Sequence, residues 1–233
     1  MFDPVSNQAV SRVRRNWLFC SETPDETEAI LRFSSVRQLE SNQTLFWQGE
    51  SIGHVFLVLD GSLKLHRRDR KDRCRITEVA GTPDLVALHC LFSGNGYTTT
   101  AVAMQACEVL AINAERFLWH VKKKPELAWR VAHYLSHEVE NLVVKMQQLA
   151  MSPASERLAA YLLELHEYPE RGNGGKIPPR RADLASLLSV STETLCREIS
   201  KFRNQGLIST ENGTFTVLKP GQLRGMVEAT AAD

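Results

Sequence analysis

Between residues 36 and 112, the hydrophobic positions fall in short runs that are separated by polar turns. Each run is four or five residues long, and Gly, Pro, Asn and Asp are common between the runs. This alternation is typical of β-strands in a sandwich or barrel. The runs that predict strands are Thr44–Trp47, Val55–Leu59, Leu63–His66, Ile76–Val79, Thr99–Ala103 and Glu108–Ile112. Asp60-Gly61 has the composition of a hairpin turn, so we expect the strands on either side of it to pair.

From residue 114 onward, the spacing of the hydrophobic positions becomes helical. A long helix is expected to begin at Pro125, because neither Gly nor Pro follows until Pro153. Its apolar positions follow steps of 4, 4, 4, 3, 4 and 3 residues, which is close to a heptad repeat. These positions are Leu127, Val131, Leu135, Val139, Leu142, Met146 and Leu149.

The apolar stripe of this helix must be covered, either by the chain's own barrel or by a second copy of the chain. We favour the second copy, because a helix of this length extends beyond the side of a small barrel. The sequence therefore predicts a homodimer with contacts made by Val131, Leu135, Val139, Leu142, Met146 and Leu149.

The C-terminal part of the chain has the pattern of three helices. The first is expected from Ala154 to His166, with Ser152 as its N-cap and Pro153 at its first position. Two short amphipathic helices follow within residues 180–208. Their apolar positions are Leu184, Leu187 and Leu188 in one helix and Leu195, Ile199 and Phe202 in the other. The few residues between them allow only a tight turn, which is typical of a helix-turn-helix.

The segment that follows favours a winged form of this motif over an ordinary helical hairpin in a core, which is the alternative interpretation. Gly206 is placed to end the second helix, and Leu207–Thr210 and Thr214–Leu218 have the pattern of strands. Asn212-Gly213 between these strands is a strong hairpin signal. The sequence therefore predicts a winged helix-turn-helix.

The second of the two short helices carries polar and charged side chains on the face opposite its apolar stripe. Glu193 suits a cytosine amino group, and Arg197, one turn further on, suits a guanine or a phosphate. We therefore predict a DNA-binding site made of Arg180, Ser191, Thr192, Glu193, Thr194, Cys196, Arg197 and Lys201.

Composition adds limits to this picture. The net charge is +1, but residues 177–209 carry five cations and three anions, an excess that favours a dimer on a specific DNA site over binding by charge alone. The five cysteines are scattered without a metal-binding spacing. The sequence shows neither a signal peptide nor a membrane-spanning stretch, so we expect a reduced, cytoplasmic protein that has no membrane partner.

A β-roll, a long heptad helix and a winged helix-turn-helix, in this order, resemble the CRP/FNR superfamily of bacterial transcription regulators. The likeness extends over nearly the whole chain, and its specific segments are Leu45–Glu50, Val58–Leu65, Thr100–Ala103, Ala106–Val109 and Ser191–Arg197. The resemblance implies an α+β fold in three parts. These parts are a sensor domain at 1–124, which is a cupin-like β-roll with N-terminal helices, a dimerisation helix at 125–151 and a DNA-binding domain at 152–233.

The resemblance also assigns roles on the recognition helix. It gives Glu193 and Arg197 the roles of base-reading residues. Cys196 stands where the FNR branch has Ser, and Thr192 stands where the cyclic-AMP branch has Arg, so we expect an FNR/DNR-like protein. Its expected partner is double-stranded DNA with a palindrome of TTGA-type half-sites, and RNA polymerase is a further candidate partner. Ser189 stands where the family has a turn glycine, which predicts a positive φ at a non-glycine residue.

The effector pocket departs from the cyclic-nucleotide pattern of the family. Ala87 and Leu88 stand where cyclic-nucleotide binders have a Gly-Glu pair, and Tyr97 stands where they have an arginine for the phosphate. A buried phosphodiester without this arginine lacks its charge partner, so we expect no cyclic-AMP binding. An FNR-type iron–sulfur cluster is not expected either, because Cys20 alone lies near the N-terminus.

The apolar stretch Leu85–Phe92 is the remaining candidate for an effector pocket. His89 resembles the axial histidine of a carbon-monoxide-sensing haem branch, the apolar setting resembles a nitric-oxide-responsive branch, and Cys90 is a candidate thiolate ligand. We therefore predict a pocket made of Ala87, Leu88, His89, Cys90 and Tyr97, with haem bound through His89 as the candidate cofactor. The alternatives are an unidentified small ligand, no ligand, or a histidine that only makes hydrogen bonds.

Two classes of function remain. The favoured class is a dimeric transcription regulator, not an enzyme, in which a signal in the roll re-aims the recognition helices. The alternative is a cupin-type binding module or enzyme without DNA binding, which requires a His/Glu metal site on the roll. The roll offers His54, His66 and His89 without an H-x-H pair, so we favour the regulator. Cys74 lies among basic residues, and we interpret it as part of a solvated hairpin tip rather than as a redox site.

Overall fold

The computed structural model describes residues 11–20, 24–68, 74–167, 180–211 and 214–228. The chain divides into two units, which we call unit 1 (residues 1–139) and unit 2 (residues 140–233). The helices of unit 1 are α1 (Trp17–Cys20), α2 (Pro24–Leu31), α3 (Leu88–Ser93), α4 (Ala114–Lys123) and the first part of α5 (Pro125–Met151). Its strands are β1 (Ser34–Leu39), β2 (Thr44–Phe46), β3 (His54–Asp60), β4 (Ser62–Arg68), β5 (Cys74–Gly81), β6 (Leu85–Val86), β7 (Thr100–Ala103) and β8 (Cys107–Asn113).

The strands of unit 1 form two antiparallel four-stranded sheets, in the orders β1-β8-β3-β6 and β2-β7-β4-β5. Side chains from both sheets, including Phe56 and Val58 of β3, pack together in the core of the roll. The other side chains of β3, including Val55 and Leu57, pack against the helices of unit 1. Both faces of β3 are thus covered, which explains its uninterrupted apolar run.

The prediction of a hairpin at Asp60-Gly61 is wrong. β3 pairs with β6 and β8, whereas β4 pairs with β5 and β7, so Gly61 joins two different sheets. Gly61 has a φ of 81°, and a Cβ at this position would lie 2.6 Å from the carbonyl oxygen of Ala106. Glycine is therefore required here by the close approach of another backbone segment at the corner between the sheets.

Three elements of unit 1 are absent from the pattern-based prediction. β1 begins inside a segment interpreted as helical, and it pairs with β8 along its full length. The apolar stretch Leu85–Phe92 divides into the two-residue strand β6 and the short helix α3. Ala87 between them adopts the left-handed conformation, with a φ of 68°, which turns the chain from strand to helix.

Helix α5 extends over the predicted range, but its apolar stripe divides into two parts. Leu127 and Val131 are 1% and 3% exposed, and they pack in the core that also holds Tyr134. Val131, which the pattern assigned to a dimer contact, is therefore buried by its own unit. Leu135, with the same assignment, is partly buried against this core. The first part of the stripe is thus covered by the roll and not by a second copy.

The second part of the stripe is exposed. The apolar side chains from residue 139 to residue 146 are between 49% and 69% exposed, and they are Val139, Leu142, Val143, Val144 and Met146. The side chain of Leu149 lies outside the described residues. Among the helices that the structure describes, none is long and apolar enough to cross a membrane.

Unit 2 holds the remaining elements, which begin after the last part of α5. They are α6 (Ala154–Glu167), α7 (Arg181–Leu187), α8 (Thr192–Asn204), β9 (Ile208–Glu211), β10 (Thr214–Val217) and α9 (Pro220–Glu228). β9 and β10 pair antiparallel, with Glu211 opposite Thr214, which confirms the predicted winged helix-turn-helix. The turn residues Asn212 and Gly213 lie outside the described residues. Helix α9 is not predicted by the pattern, and its fully buried Leu223 completes the core of this unit.

Two backbone positions set the path of the helix-turn-helix. Ser189, in the turn, has a φ of 52°, which confirms the predicted positive φ at a non-glycine residue. Gly206, with a φ of 64°, follows α8 as predicted and directs the chain into β9. The amide of Leu207 then donates to the carbonyl of Phe202 at 2.9 Å, so that the last turn of α8 is closed.

Candidate functional site

The orientation of α8 is set by its apolar face. Leu195, Ile199 and Phe202 are at most 2% exposed, and they pack with side chains of α6 and α7. The predicted DNA-binding face is therefore directed away from the core of unit 2. Thr192, Glu193, Arg197 and Lys201 are exposed on this face, and Arg180 is exposed just before α7.

Two of the predicted DNA-binding residues also hold the start of α8. The Ser191 hydroxyl is the N-cap: it accepts a hydrogen bond from the amide of Thr194 at 3.1 Å. It also donates to the Thr194 hydroxyl oxygen at 2.9 Å. Ser191 and Thr194 thus stabilise the N-terminus of the helix, the end that carries the positive pole of the dipole, and they position Glu193 next to it.

Arg181 contacts the recognition helix, and the sequence-based prediction missed this contact. Its Nη1 donates to the sulfur of Cys196 at 3.3 Å, so a cation from α7 lies beside the outer face of α8. The signal in the sequence was the Arg180-Arg181 pair, but its contact with Cys196 depends on how the two helices cross. Arg197 is 68% exposed, and its Nε lies 3.9 Å from Glu198 Oε1, too far for a hydrogen bond. Its guanidinium is therefore available for a base or a phosphate.

In unit 1, the predicted effector residues separate into two groups. Tyr97 is 4% exposed, and its ring stacks on Phe46 with centroids 4.0 Å apart. Its hydroxyl donates to the carbonyl of His54 at 2.8 Å. Desolvation by burial raises the pKa of Tyr97, so the side chain stays a neutral hydrogen-bond donor inside the roll. Ala87 and Leu88 are buried as well, whereas His89 is exposed.

His89, Cys90 and Thr98 form a cluster of polar side chains at the start of α3. His89 Nε2 lies 3.1 Å from the Thr98 hydroxyl and 3.3 Å from the Cys90 sulfur. The Cys90 sulfur lies 3.7 Å from the same hydroxyl. We call these three residues the thiol cluster. No set of three or more His, Cys, Asp or Glu side chains placed to hold a metal ion occurs in the described part of the chain.

The thiol cluster changes the proton affinities of its members. The hydrogen bond with Cys90 raises the pKa of His89 against the opposing effect of desolvation, and Glu78 and Glu138 add to the rise. Desolvation on its own would raise the pKa of Cys90, but the hydrogen bonds with His89 and Thr98 outweigh it and lower that pKa. The two shifts both favour an imidazolium paired with a thiolate.

This arrangement bears on the predicted haem. An axial bond needs a free imidazole nitrogen, but His89 Nε2 already contacts Thr98 and Cys90. Phe46 and Tyr97 stack on one another inside the core that also contains the neighbouring Cys90. As they stand, these residues do not fit an axial ligand set, and haem at His89 stays a prediction.

A β-roll and a winged helix-turn-helix, whose second helix exposes polar and cationic side chains, together define a class of two-domain DNA-binding proteins. Comparison with known families gives the same division. Residues 36–124 match the cyclic nucleotide-binding domain, and residues 156–226 match the Crp-like helix-turn-helix domain. The chain belongs to the CRP/FNR family, and it is a DNA-binding transcription regulator of that type.

Individual relatives extend this comparison over most of the chain. The chain is similar to the cyclic AMP receptor protein of Thermus thermophilus, with 26% identity over 200 residues that cover 86% of this chain and 91% of the relative. It is also similar to the transcriptional activator protein FnrA of Stutzerimonas stutzeri, with 27% identity over 186 residues that cover 78% and 76%. The FNR/DNR-like branch therefore stays a prediction. The solved structure of FixK2 from Bradyrhizobium japonicum has the same fold, with a TM-score of 0.75, 18% identity and coverage of 83% of this chain and 96% of that one.

Proposed function

We propose that this regulator is a homodimer that reads a palindrome of TTGA-type half-sites through α8. The observation that carries the proposal is the pair of exposed surfaces, one apolar and one polar, on α5 and α8. A two-fold dimer places two copies of α8 about one turn of DNA apart, which is the geometry that a palindromic site requires.

The dimer contact is assigned to the exposed second part of the α5 stripe. Val139, Leu142 and Met146 keep the heptad spacing of the buried part, and they are 58%, 57% and 69% exposed. Four of the five exposed apolar side chains, Val139, Leu142, Val143 and Met146, lie on one side of the helix and form a patch that a second α5 helix can cover. Because these side chains are about half exposed, covering each of them contributes about half of the roughly 1.5–3 kcal/mol that full burial gives.

The DNA contact is assigned to the exposed face of α8. Glu193 and Arg197 lie one turn apart on this face, and both are exposed, as contact with base edges in a major groove requires. Arg180, Arg181 and Lys201 add positive charge around them, which suits phosphates. The cytosine and guanine contacts of Glu193 and Arg197 would fix two positions in each half-site.

The signal is assigned to unit 1, and we propose that it is not cyclic AMP. Tyr97 supports this proposal, because its ring occupies the interior of the roll at the position where cyclic-nucleotide binders have an arginine. A phosphate placed there would lose its charge partner and would have to displace a buried ring. Haem is tested separately: a Soret band that moves on addition of CO or NO and changes in His89→Ala would support it, whereas a spectrum that is the same in both proteins would exclude His89 as a ligand.

Binding to a duplex with the palindrome tests the proposal, in parallel with a duplex of the same composition in scrambled order. We expect the palindrome to bind at least about 1,000-fold more tightly at physiological salt, with one dimer per duplex. Affinity for both duplexes should fall as salt rises. Equal affinity for the two duplexes, or one monomer per half-site, would contradict the proposal.

A further inference from the structure

The thiol cluster combines a nucleophile, a base and a hydroxyl from two separate segments of unit 1. Cys90 and His89 lie on α3, and Thr98 lies in the loop before β7. The sulfur is within 3.3 Å of His89 Nε2 and within 3.7 Å of the Thr98 hydroxyl. A thiol in contact with an imidazole is the arrangement that activates cysteine nucleophiles, because the imidazole takes the thiol proton.

We propose that Cys90 is a peroxide-reactive thiol that His89 activates, and that its oxidation is the signal received by unit 1. The surfaces assigned to DNA and to the dimer do not include this cluster, so the inference goes beyond the proposed function. Its regulatory half rests on the proposed function, because a signal is only meaningful for a regulator that binds DNA.

The burial of Cys90 limits the size of the oxidant that can reach its sulfur. Cys90 is 2% exposed, and the exposed side chains of His89 and Thr98 lie against its sulfur. A bulky disulfide or a large electrophile cannot reach the sulfur without displacing both side chains. Hydrogen peroxide has two heavy atoms, and either polar neighbour can hydrogen-bond to it as it enters. We therefore infer that the reagent is a peroxide and not a large thiol-reactive metabolite.

The reaction balances within the cluster. The Cys90 thiol gives its proton to His89 Nε2, and the thiolate attacks one oxygen of hydrogen peroxide. The S–O bond forms as the O–O bond breaks, and the leaving hydroxide takes the proton back from His89 to become water. The sulfur is oxidised by two electrons and the peroxide is reduced by two, so a thiol and hydrogen peroxide give a sulfenic acid and water. The Thr98 hydroxyl donates to the thiolate and to the product oxygen.

The position of Cys90 connects this reaction to the rest of unit 1. Cys90 packs in the core that also contains Val86 and Ala87, and β6 lies directly before α3. The hydroxyl of Tyr134, on α5, donates to the carbonyl of Leu85 in β6 at 3.4 Å. This hydrogen bond gives β6, and with it the segment that carries Cys90, a direct contact with α5.

Two other cysteines serve as controls. Cys107 is 2% exposed in the same core as Cys90, but no imidazole contacts it among the residues that the structure describes, and desolvation raises its pKa to about 12. Cys74 is exposed, and its sulfur lies 3.2 Å from His66 Nδ1. The reactivity of Cys107 shows the effect of burial without a neighbouring imidazole. The reactivity of Cys74 shows the effect of a neighbouring imidazole without burial.

The test treats the full chain with hydrogen peroxide and quenches it into denaturant that contains dimedone, so that mass spectrometry locates each sulfenic acid. We expect Cys90 to be oxidised and Cys107 to stay reduced. His89→Gln should lower the rate constant at Cys90 at least about 100-fold, which is the low end of general-base catalysis. Thr98→Val should lower it by a smaller factor. With the bulky disulfide DTNB, Cys74 should react and Cys90 should not. Oxidation at Cys74 alone, or an unchanged rate in His89→Gln, would overturn the proposal.

The regulatory half is measured on the palindromic duplex. Peroxide should change the affinity of the wild-type protein at least about fivefold, dithiothreitol should reverse the change, and Cys90→Ser should show neither effect. Circular dichroism checks that Cys90→Ser is folded. If Cys90 is oxidised and the affinity stays constant, the signalling half is overturned. If neither the reduced nor the oxidised protein prefers the palindrome, the proposed DNA site is wrong. The oxidation rates then still show whether Cys90 is the reactive thiol.

Discussion

Helices α5 and α8 carry the same kind of amphipathic pattern but use it differently. In α8 the whole apolar face is buried in its own unit, so the polar face is left for a partner. In α5 the stripe is buried as far as Tyr134 and is then exposed from Val139 onward. An apolar repeat therefore predicts which face of a helix is covered, but it does not predict whether the same unit or a partner covers that face.

The largest effect is expected inside the covered part of α5. Leu127→Ala leaves a cavity in the core of unit 1 and should lower the free energy of unfolding by about 2–5 kcal/mol. The loss should be the same at every protein concentration in urea denaturation. Leu142→Ala, at the 57% exposed position, is the matched control, and its effect should depend on protein concentration. If both variants lose the same free energy of unfolding at every protein concentration, the covered and exposed parts of the α5 stripe do not differ as proposed.

The next largest effect is expected on the proposed dimer, at the exposed part of α5. Leu142→Glu combined with Met146→Glu places charges on the proposed dimer contact and should raise the dissociation constant of the dimer at least about 100-fold, or about 2.7 kcal/mol. Sedimentation velocity measures this change. Trp119→Glu, on α4, changes another exposed apolar residue, 56% exposed, and should leave the dimer intact. A double variant that sediments like the wild type would show that α5 is covered in another way.

The turn before α8 gives a smaller effect. Ser189 has a positive φ without being glycine, so Ser189→Gly should relieve strain and raise the free energy of unfolding by about 0.5–1 kcal/mol. Ser191→Ala removes the N-cap two residues later and should lower it by about 1 kcal/mol. Thermal denaturation measures the change in stability of each variant. A stability loss in Ser189→Gly would mean that the serine side chain has a contact of its own in the turn.

The smallest effect concerns the polar edge of the covered part of α5, where Glu138 acts on His89. Cys90→Ser should lower the pKa of His89 toward its usual value of 6.5, and Glu138→Gln should lower it less, because the contact with Cys90 is the larger cause. NMR titration of the imidazole measures both. His54, whose pKa is lowered first by burial and then by Arg37, should not respond and is the control.

The sign of the linked stability follows from the direction of the shift. Because the folded-state pKa of His89 is raised, its contribution to stability is fully present below pH 6.5 and is lost as pH rises through the raised pKa. Cys90 contributes in the opposite window: its lowered pKa gives stability above its usual value of 9.0, which is lost as pH falls through the folded-state pKa. A rise in the pKa of His89 in Cys90→Ser would contradict the structure of the cluster.

Local patterns predicted most of unit 2. The spacing of Leu195, Ile199 and Phe202 predicted which face of α8 is buried, because a single helix and its immediate neighbours decide this. The contact between Arg181 and Cys196 was not predictable, since it depends on where two helices cross. Helix α9 was missed as well, because its short apolar pattern is weak without the core that Leu223 enters.

Unit 1 was predicted less completely because its pairing is non-local. Gly61 was interpreted as a hairpin residue, but the requirement for glycine comes from Ala106, a residue far along the chain that lies against it. The thiol cluster was likewise not predictable: the sequence places His89 beside Cys90 but does not show that Thr98 returns to the same point. The contacts of the thiol cluster therefore needed the structure, whereas the buried and exposed faces of α8 needed mainly the helical spacing of its apolar positions.

The most direct test of the account is the discrimination between the palindrome and a duplex with one changed base pair in each half-site. The wild-type protein should prefer the palindrome by about 1–3 kcal/mol for each changed pair. Arg197→Ala or Glu193→Ala should remove the preference at the base pair that the changed residue contacts. Lys201→Ala should instead weaken binding to both duplexes equally and reduce the salt dependence of binding. If Arg197→Ala and Glu193→Ala both keep the full preference of the wild type, α8 does not read the bases through this face.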